Sequence, residues 1–299
     1  MIEAAAARPT SISRVTDHPT SQVRLVWREF SRNRLAVAGA VAIVLLYGLA
    51  VFAPTIAPRD YRAFNAGQPL KPPSAEHWFG TDRQTRDVFS RVLVASQVSL
   101  SVGLVSVILI TGIGVSLGAV AGVLGGRADE AIMRFTDIVL AIPQLFLLIA
   151  AAALFTPSLI TTMLVIGLTS WMSTARLVRG EFLRTRSLDF VVAARALGAT
   201  TPRIMLRHLL PNAMAVIIVQ STLWLSFAIL LESSLSFLGL GAQPPTPSWG
   251  GMLADGRVDM QRAWWETVFP GMAIFLTVLA FNLVGDGLRD ALDPRQRRR

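Results

Sequence analysis

The chain has 299 residues, of which 53% are hydrophobic and only 16% charged, a balance that argues against an ordinary soluble domain and for a membrane protein. Its formal net charge of +9 comes with no aromatic-rich basic module and no zinc spacing; the arginines gather at the ends of apolar runs, so topology explains the charge and nucleic acid does not. The lack of cysteine excludes a disulfide framework, a thiolate metal site and a cysteine nucleophile together.

In chain order, residues 1–34 are polar and arginine-containing, with no small-residue cleavage site after the first apolar run, and are expected to form a mobile cytoplasmic tail before an uncleaved anchor. Residues 35–53 form the first predicted span, long enough for a hydrocarbon core of about 30 Å at about 1.5 Å per residue. Pro54 and Pro58 end it, and an extracytoplasmic segment runs over 54–97. A core region, 98–288, holds five more predicted spans at 98–124, 138–155, 159–175, 214–231 and 268–288, with a cytoplasmic loop at 176–211; a cytoplasmic tail follows at 289–299. Six spans put both termini on one side. The segments placed inside carry 20 basic residues against eight in the two large outer segments, so both termini are expected in the cytoplasm.

Within the second span, Gly114, Gly118 and Gly122 recur every four residues, a stripe that lets another helix approach closely in lipid; internal packing is the preferred reading over a part in the pore. Asp129 and Glu130, then Arg134, Asp137 and Pro143, predict an amphipathic turn and an elbow at the inner face. Trp249, Trp264 and Trp265 suit an outer interfacial belt.

The stretch DFVVAARALGATTPRIMLRHLLPN, 189–212, is polar and basic between long apolar runs. Ser187 or Asp189 is expected to cap a short helix in which Phe190, Val191, Ala194 and Leu197 recur at helical spacing, and Gly198 ends it. Thr201-Pro202 opens a second helix, and Pro211 is expected to interrupt the pattern again. The prediction is a cytoplasmic hook of helix, glycine turn and helix.

This hook resembles the EAA loop of bacterial ABC-importer permeases, Glu-Ala-Ala, three residues, Gly, nine residues, Ile, any residue, Leu-Pro. Ala193, Ala194, Gly198, Leu210 and Pro211 fall in register, while Val192 replaces the Glu and His208 the Ile. Residues 77–100 resemble the stretch before the core domain of dipeptide and oligopeptide permeases through Gly80, Thr81, Asp82, Arg86, Asp87, Ser90 and Arg91; Thr85 stands where those proteins commonly have glycine and Gln97 where arginine is frequent. Residues 236–253 and 263–294 are similar to the C subunits of the same importers.

The resemblance implies an all-α membrane protein, the six-helix transmembrane domain of a type I ABC importer, in the bacterial cell membrane. It implies a homologous second permease as heterodimer partner, two ATPase subunits carrying ATP and Mg, and an extracytoplasmic peptide-binding protein. Phe190, Val191, Ala193, Ala194, Arg195, Leu197, Gly198 and Pro211 would form the ATPase-coupling loop, with 190–197 as a lever whose movement switches the spans between two arrangements. The residues agree independently, since the only lysine is Lys71, in a proline-rich segment, and a phosphate-cradling P-loop needs one after a glycine-rich turn. The chain is therefore expected to be no enzyme by itself, with no cofactor of its own.

Gln220, Ser221, Thr222 and Ser226 are candidates for a hydrated translocation path, or for bonding to a neighbouring helix. Glu232 reads equally as a contact for a peptide's amino terminus and as a helix-end carboxylate. Asp286, Arg289, Asp290 and Asp293 fit the interfacial end of the last span. A nickel or glutathione importer would look nearly the same, but His18, His77 and His208 fall in separate extramembrane segments, which argues against a metal site. A membrane-embedded enzyme would need a convergent acid, base or nucleophile in the spans, and none is seen. A passive channel would not require the hook.

Overall fold

The computed structural model describes residues 22–64 and 68–292. Part of the expected mobile tail is helical: α1 (Gln22–Arg32) is an amphipathic helix whose Phe30 and Val26 pack against Ala291 and Leu288 near the other end of the chain. The rest of the expected tail, 1–21, lies outside the described residues, as do Asp293 and the remainder of the predicted C-terminal tail. Asn33 caps the next helix, its Oδ1 accepting from the backbone N–H of Leu35 and Ala36. That helix, α2 (Arg34–Val51), and the one-turn α3 (Ala53–Ile56), opened by Pro54, account for the first predicted span.

The axis of the fold is α4 (Val88–Leu124), 37 residues long and so about 55 Å. It begins ten residues before the predicted span because Asp87 caps it at the far end of the motif stretch, accepting from the backbone N–H of Ser90 at 2.9 Å. After Gly125 come α5 (Gly126–Leu140) and α6 (Gln144–Ala153), bent by 89° at the expected elbow. Pro143 explains the bend, since it lacks the N–H for the helical ladder and pushes the residue before it out of helical conformation. The predicted span 159–175 is divided at Trp171 between α7 (Leu159–Ser170) and α8 (Met172–Thr185).

Next come α9 (Asp189–Ala196), α10 (Thr201–Ile204), a π-helical turn over Met205–Leu209, and α11 (Leu210–Phe237), which together with α10 makes a continuous apolar rod from Thr201 to Phe237. The short α12 (Trp249–Gly256) and the long α13 (Trp265–Leu292) complete the chain. Among the described residues four helices are long and apolar enough to cross a membrane, namely α2, α4, the rod 201–237 and α13, or five if the bent α5–α6 pair is one span. Among the described residues the fold is all-helical, joined only by one isolated bridge between Thr81 and Asp87.

Apolar side chains point both inward and outward, as lipid allows. Ile110, Leu148, Ile166, Ala228 and Leu235 are buried between α4, α6, α7 and α11, whereas Val41, Val44, Leu45 and Leu49 of α2 are exposed. The glycine stripe serves packing. A Cβ on Gly114 would fall 2.6 Å from the Thr174 Cβ, one on Gly122 would fall 2.7 Å from the Phe182 Cβ, and one on Gly118 would strike the Ala175 carbonyl oxygen. Thus α4 and α8 approach closely along about two turns.

Candidate functional site

The hook forms at the C-terminal end of α4. Neither expected cap operates: Leu188 holds the N-cap position of α9 without a side-chain bond, and the Ser187 hydroxyl donates instead to the Arg184 carbonyl at 2.9 Å. Asp189 lies in the first turn, where its charge favours the positive end of the helix dipole. The other end follows the prediction. Gly198 takes φ +84°, its N–H donates to the Arg195 carbonyl at 3.0 Å, and the Ala199 N–H reaches back to the Ala194 carbonyl at 3.1 Å. This pair of bonds is a Schellman ending, which needs a left-handed residue at that point.

Pro211 does not interrupt the helix that follows. Wide i→i−5 bonding over 205–209 takes up the missing donor and the ring's bulk, with the Leu210 N–H donating to the Met205 carbonyl. The Asn212 side-chain amide satisfies the His208 carbonyl at 2.6 Å. The second half of the hook is thereby in rigid continuity with α11.

The structure divides the apolar residues of the first hook helix between two sides. Val191 is fully buried with Ile204 and Leu209 against Ala119 of α4 and Val178 and Phe182 of α8. Leu197 is 89% exposed, and Phe190, Val192 and Leu206 are exposed too, so the hook is seated on the bundle by one side and presents an apolar rim on the other. Ala193 and Arg195 share the exposed side, Ala194 is half-buried, and Pro211 is exposed at the hook's base.

Charged contacts fix the platform beneath. Arg179 of α8 binds the Asp129 carboxylate of α5 through both Nε and Nη2, which holds the guanidinium more firmly protonated than usual. Arg186 donates to the Gly122 carbonyl at 3.1 Å and Arg176 to Asp137 at 2.5 Å, tying α8 to the end of α4 and to α5.

The polar residues of α11 turn to different neighbours. Ser221 pairs with Thr111 of α4 at 2.9 Å, Thr222 bonds back to the Ile218 carbonyl, and Ser226 is buried facing the Val278 carbonyl of α13. Gln220 lines an apolar recess of about 480 Å³ with Leu177, Val219 and Arg289. Glu232 is fully buried, accepting from the Ser236 hydroxyl at 2.7 Å with Ser233 at 3.4 Å. Ser221 and Ser226 thus turn to different helices, while Glu232 bonds within its own.

The opposite end of α4 carries the motif stretch as a buried polar knot. Asp82 receives the Nε of Arg86 at 2.7 Å and Nη1 of Arg91, and His77 Nδ1 pairs with Asp87 at 2.9 Å. Arg83 reaches across to Asp259 with two 2.8 Å bonds, which raise its pKa further. Two of the three tryptophans expected in an interfacial belt instead lock this knot. Trp249 is 1% and Trp265 4% exposed, donating through Nε1 to the Val92 and Thr81 carbonyls; only Trp264, half-exposed, has the expected setting. Their partners are distant in sequence, so tryptophan type alone gave no signal for burial. Thr85 has φ +63°, which explains why a glycine suits that position.

Residues 114–298 match the family described as binding-protein-dependent transport system inner membrane component, and residues 21–73 match the N-terminal TM domain of oligopeptide transport permease C. The chain is 45% identical over 293 residues to the probable D,D-dipeptide transport system permease protein DdpC of Escherichia coli strain K12, covering 98% of this chain and 96% of that one. It is 40% identical over 298 residues to the oligopeptide transport system permease protein OppC of Bacillus subtilis, covering 100% and 98%. A glutathione transport system permease protein, GsiD of Escherichia coli O6:K15:H31, is 46% identical over 275 residues, covering 90% and 89%. A solved chain described as the MetNI methionine ABC transporter in inward-facing conformations superposes with a TM-score of 0.57 at 18% identity, covering 68% of this chain and 97% of that one, a likeness of fold.

Proposed function

The chain belongs to the binding-protein-dependent transport system inner membrane component family, as a multi-pass permease subunit of the bacterial inner membrane and not itself an ATPase, and from that premise we propose that it is half of the translocation path of a peptide importer. The observation that carries the coupling role is the hook, whose seated face is apolar and buried while Phe190, Val192 and Leu197 face outward. Such a rim suits a groove on a partner ATPase. ATP and Mg would act there, and closure of two such ATPases would displace α9 as a lever. A second, homologous permease completes the path, and a peptide-binding protein delivers cargo to the opposite end.

In this reading the stretch 159–175, formed by α7 and the first residues of α8, is a sixth crossing, both termini are cytoplasmic, and Gln220, Ser221, Thr222, Ser226 and Glu232 are tested as path residues only in the heterodimer. The domain limits are those set out from the sequence, 1–34, 35–53, 54–97, 98–288 with the loop 176–211, and 289–299. The similarity to a glutathione permease favours a second reading, a modified tripeptide as cargo. The test is purification of the tagged chain from its native membrane in mild detergent, with identification of co-purifying subunits and an ATPase assay with and without peptide-loaded binding protein. A second permease and P-loop ATPases, with hydrolysis stimulated by the loaded protein, are expected; a chain recovered without any nucleotide-hydrolysing partner would overturn the reading.

A further inference from the structure

At the end of α4 opposite the hook lies a cavity of about 580 Å³, within the range that holds small ligands. Its floor is the buried pair Arg86 and Arg91, both bound to Asp82, which does not itself line the cavity. Asp255 is the only carboxylate in the lining among the described residues. It is about half exposed and only loosely held, its Oδ2 lying 3.4 Å from Arg91 and 3.8 Å from Arg86, and among the described residues its Oδ1 accepts no hydrogen bond.

Arg257, also in the lining, has no carboxylate partner among the described residues; its guanidinium rests over the Phe237 ring at 5.3 Å. Three guanidiniums thus face one carboxylate, and with Asp82 neutralising from behind, one positive charge is left over. The remaining walls include Phe237, Pro245 and Pro247.

Resting on the peptide-importer reading, we propose that this cavity receives a short zwitterionic peptide, its ammonium on Asp255, its carboxylate on Arg257, and its side chains against the phenylalanine and proline walls. The charges suit such a ligand: a loosely held carboxylate has an oxygen to offer to an ammonium, and an unpaired guanidinium takes a carboxylate with two parallel bonds. Partial removal from water strengthens both contacts.

The assembled importer, in nanodiscs and without its binding protein, is titrated by saturation-transfer NMR with the dipeptide Ala-Phe, its N-acetyl form and its C-terminal amide. Ala-Phe is expected to bind at least tenfold more tightly than either blocked form. Asp255→Asn should abolish the discrimination against the acetyl form while leaving that against the amide, and Arg257→Gln should do the reverse. This crossed pattern is not produced by misfolding, which weakens all three ligands alike.

No binding of Ala-Phe, or the wild-type preference for both free ends kept in both variants, would overturn the site. So would loss of binding-protein docking in both variants with unchanged peptide discrimination, which would make the cavity a protein contact. ATPase stimulation by loaded binding protein is measured in the same preparation. Its presence with a failed crossed pattern removes the site alone, and its absence removes the importer reading.

Discussion

Replacing Gly198 tests the hook by conformation and not by bulk. Its φ of +84° is left-handed, yet a Cβ built there meets nothing within 4 Å, so a substituent meets no steric wall. The whole penalty is backbone strain, about 1–2 kcal/mol for an L-residue, or roughly a 5- to 30-fold shift toward hooks that leave the Schellman ending. Asparagine tolerates this region best after glycine, and a β-branched residue least. Peptide taken up per ATP hydrolysed, in proteoliposomes with equal complex yield, is therefore expected to fall in the order Gly, Asn, Ala, Val, with Leu close to Ala despite its size. Uptake that tracks side-chain volume, or a Gly198→Val importer with wild-type coupling and normal yield, would refute the reasoning.

Gly118→Val drives a Cβ into the Ala175 carbonyl and to 2.9 Å from the Val178 Cβ, so folded yield should collapse, whereas Gly112→Val, with open space around it, should express normally. Leu197→Asp should leave thermal stability within about 0.5 kcal/mol and weaken ATPase co-purification at least tenfold; undiminished co-purification would contradict the rim's role. Asp82→Asn leaves two buried guanidiniums without their shared carboxylate, and denaturation should register a loss of about 3–5 kcal/mol.

Features set by local chemistry were legible in the sequence. The helix ending at Gly198, the elbow at Pro143 and the close-packing stripe at Gly114, Gly118 and Gly122 each depend on one residue type at one spacing, and each stands where expected. Features that depend on a distant partner were not. Trp249 and Trp265 read as surface residues until the Val92 and Thr81 carbonyls, far away in the chain, give their indoles somewhere dry to donate. Which residues of α9 turn inward also depends on distant partners: helical spacing groups Val191, Ala194 and Leu197, and the seat made with Ala119, Val178 and Phe182 buries Val191 while leaving Leu197 exposed. Pro211 looked like a break because proline usually is one, and the π-turn that accommodates it has no sequence signature of its own.

The two ends of the molecule are joined by α4, and the contacts along it decide how a push at the hook travels. Val191 rests on Ala119, and the glycine stripe holds α8 against α4 at backbone distance, leaving no flexible side chains between them to absorb displacement. Arg179 and Arg186 bind α8 to α5 and to the last turn of α4, and the π-turn keeps the hook's second helix continuous with α11. At the opposite end, Arg91 of the same α4 is clamped by Asp82 and approaches Asp255 of α12. In the importer proposed above, a displaced α9 therefore moves α4, α8 and α11 as one body, and α12 is tied to it by the Trp249 bonds to Ser99 and Val92 and, most loosely, by the 3.4 Å approach of Arg91 to Asp255. Hook movement and cavity opening are then a single transition, and cross-linking α4 to α12 near Arg91 should block uptake while leaving ATPase docking at the hook intact.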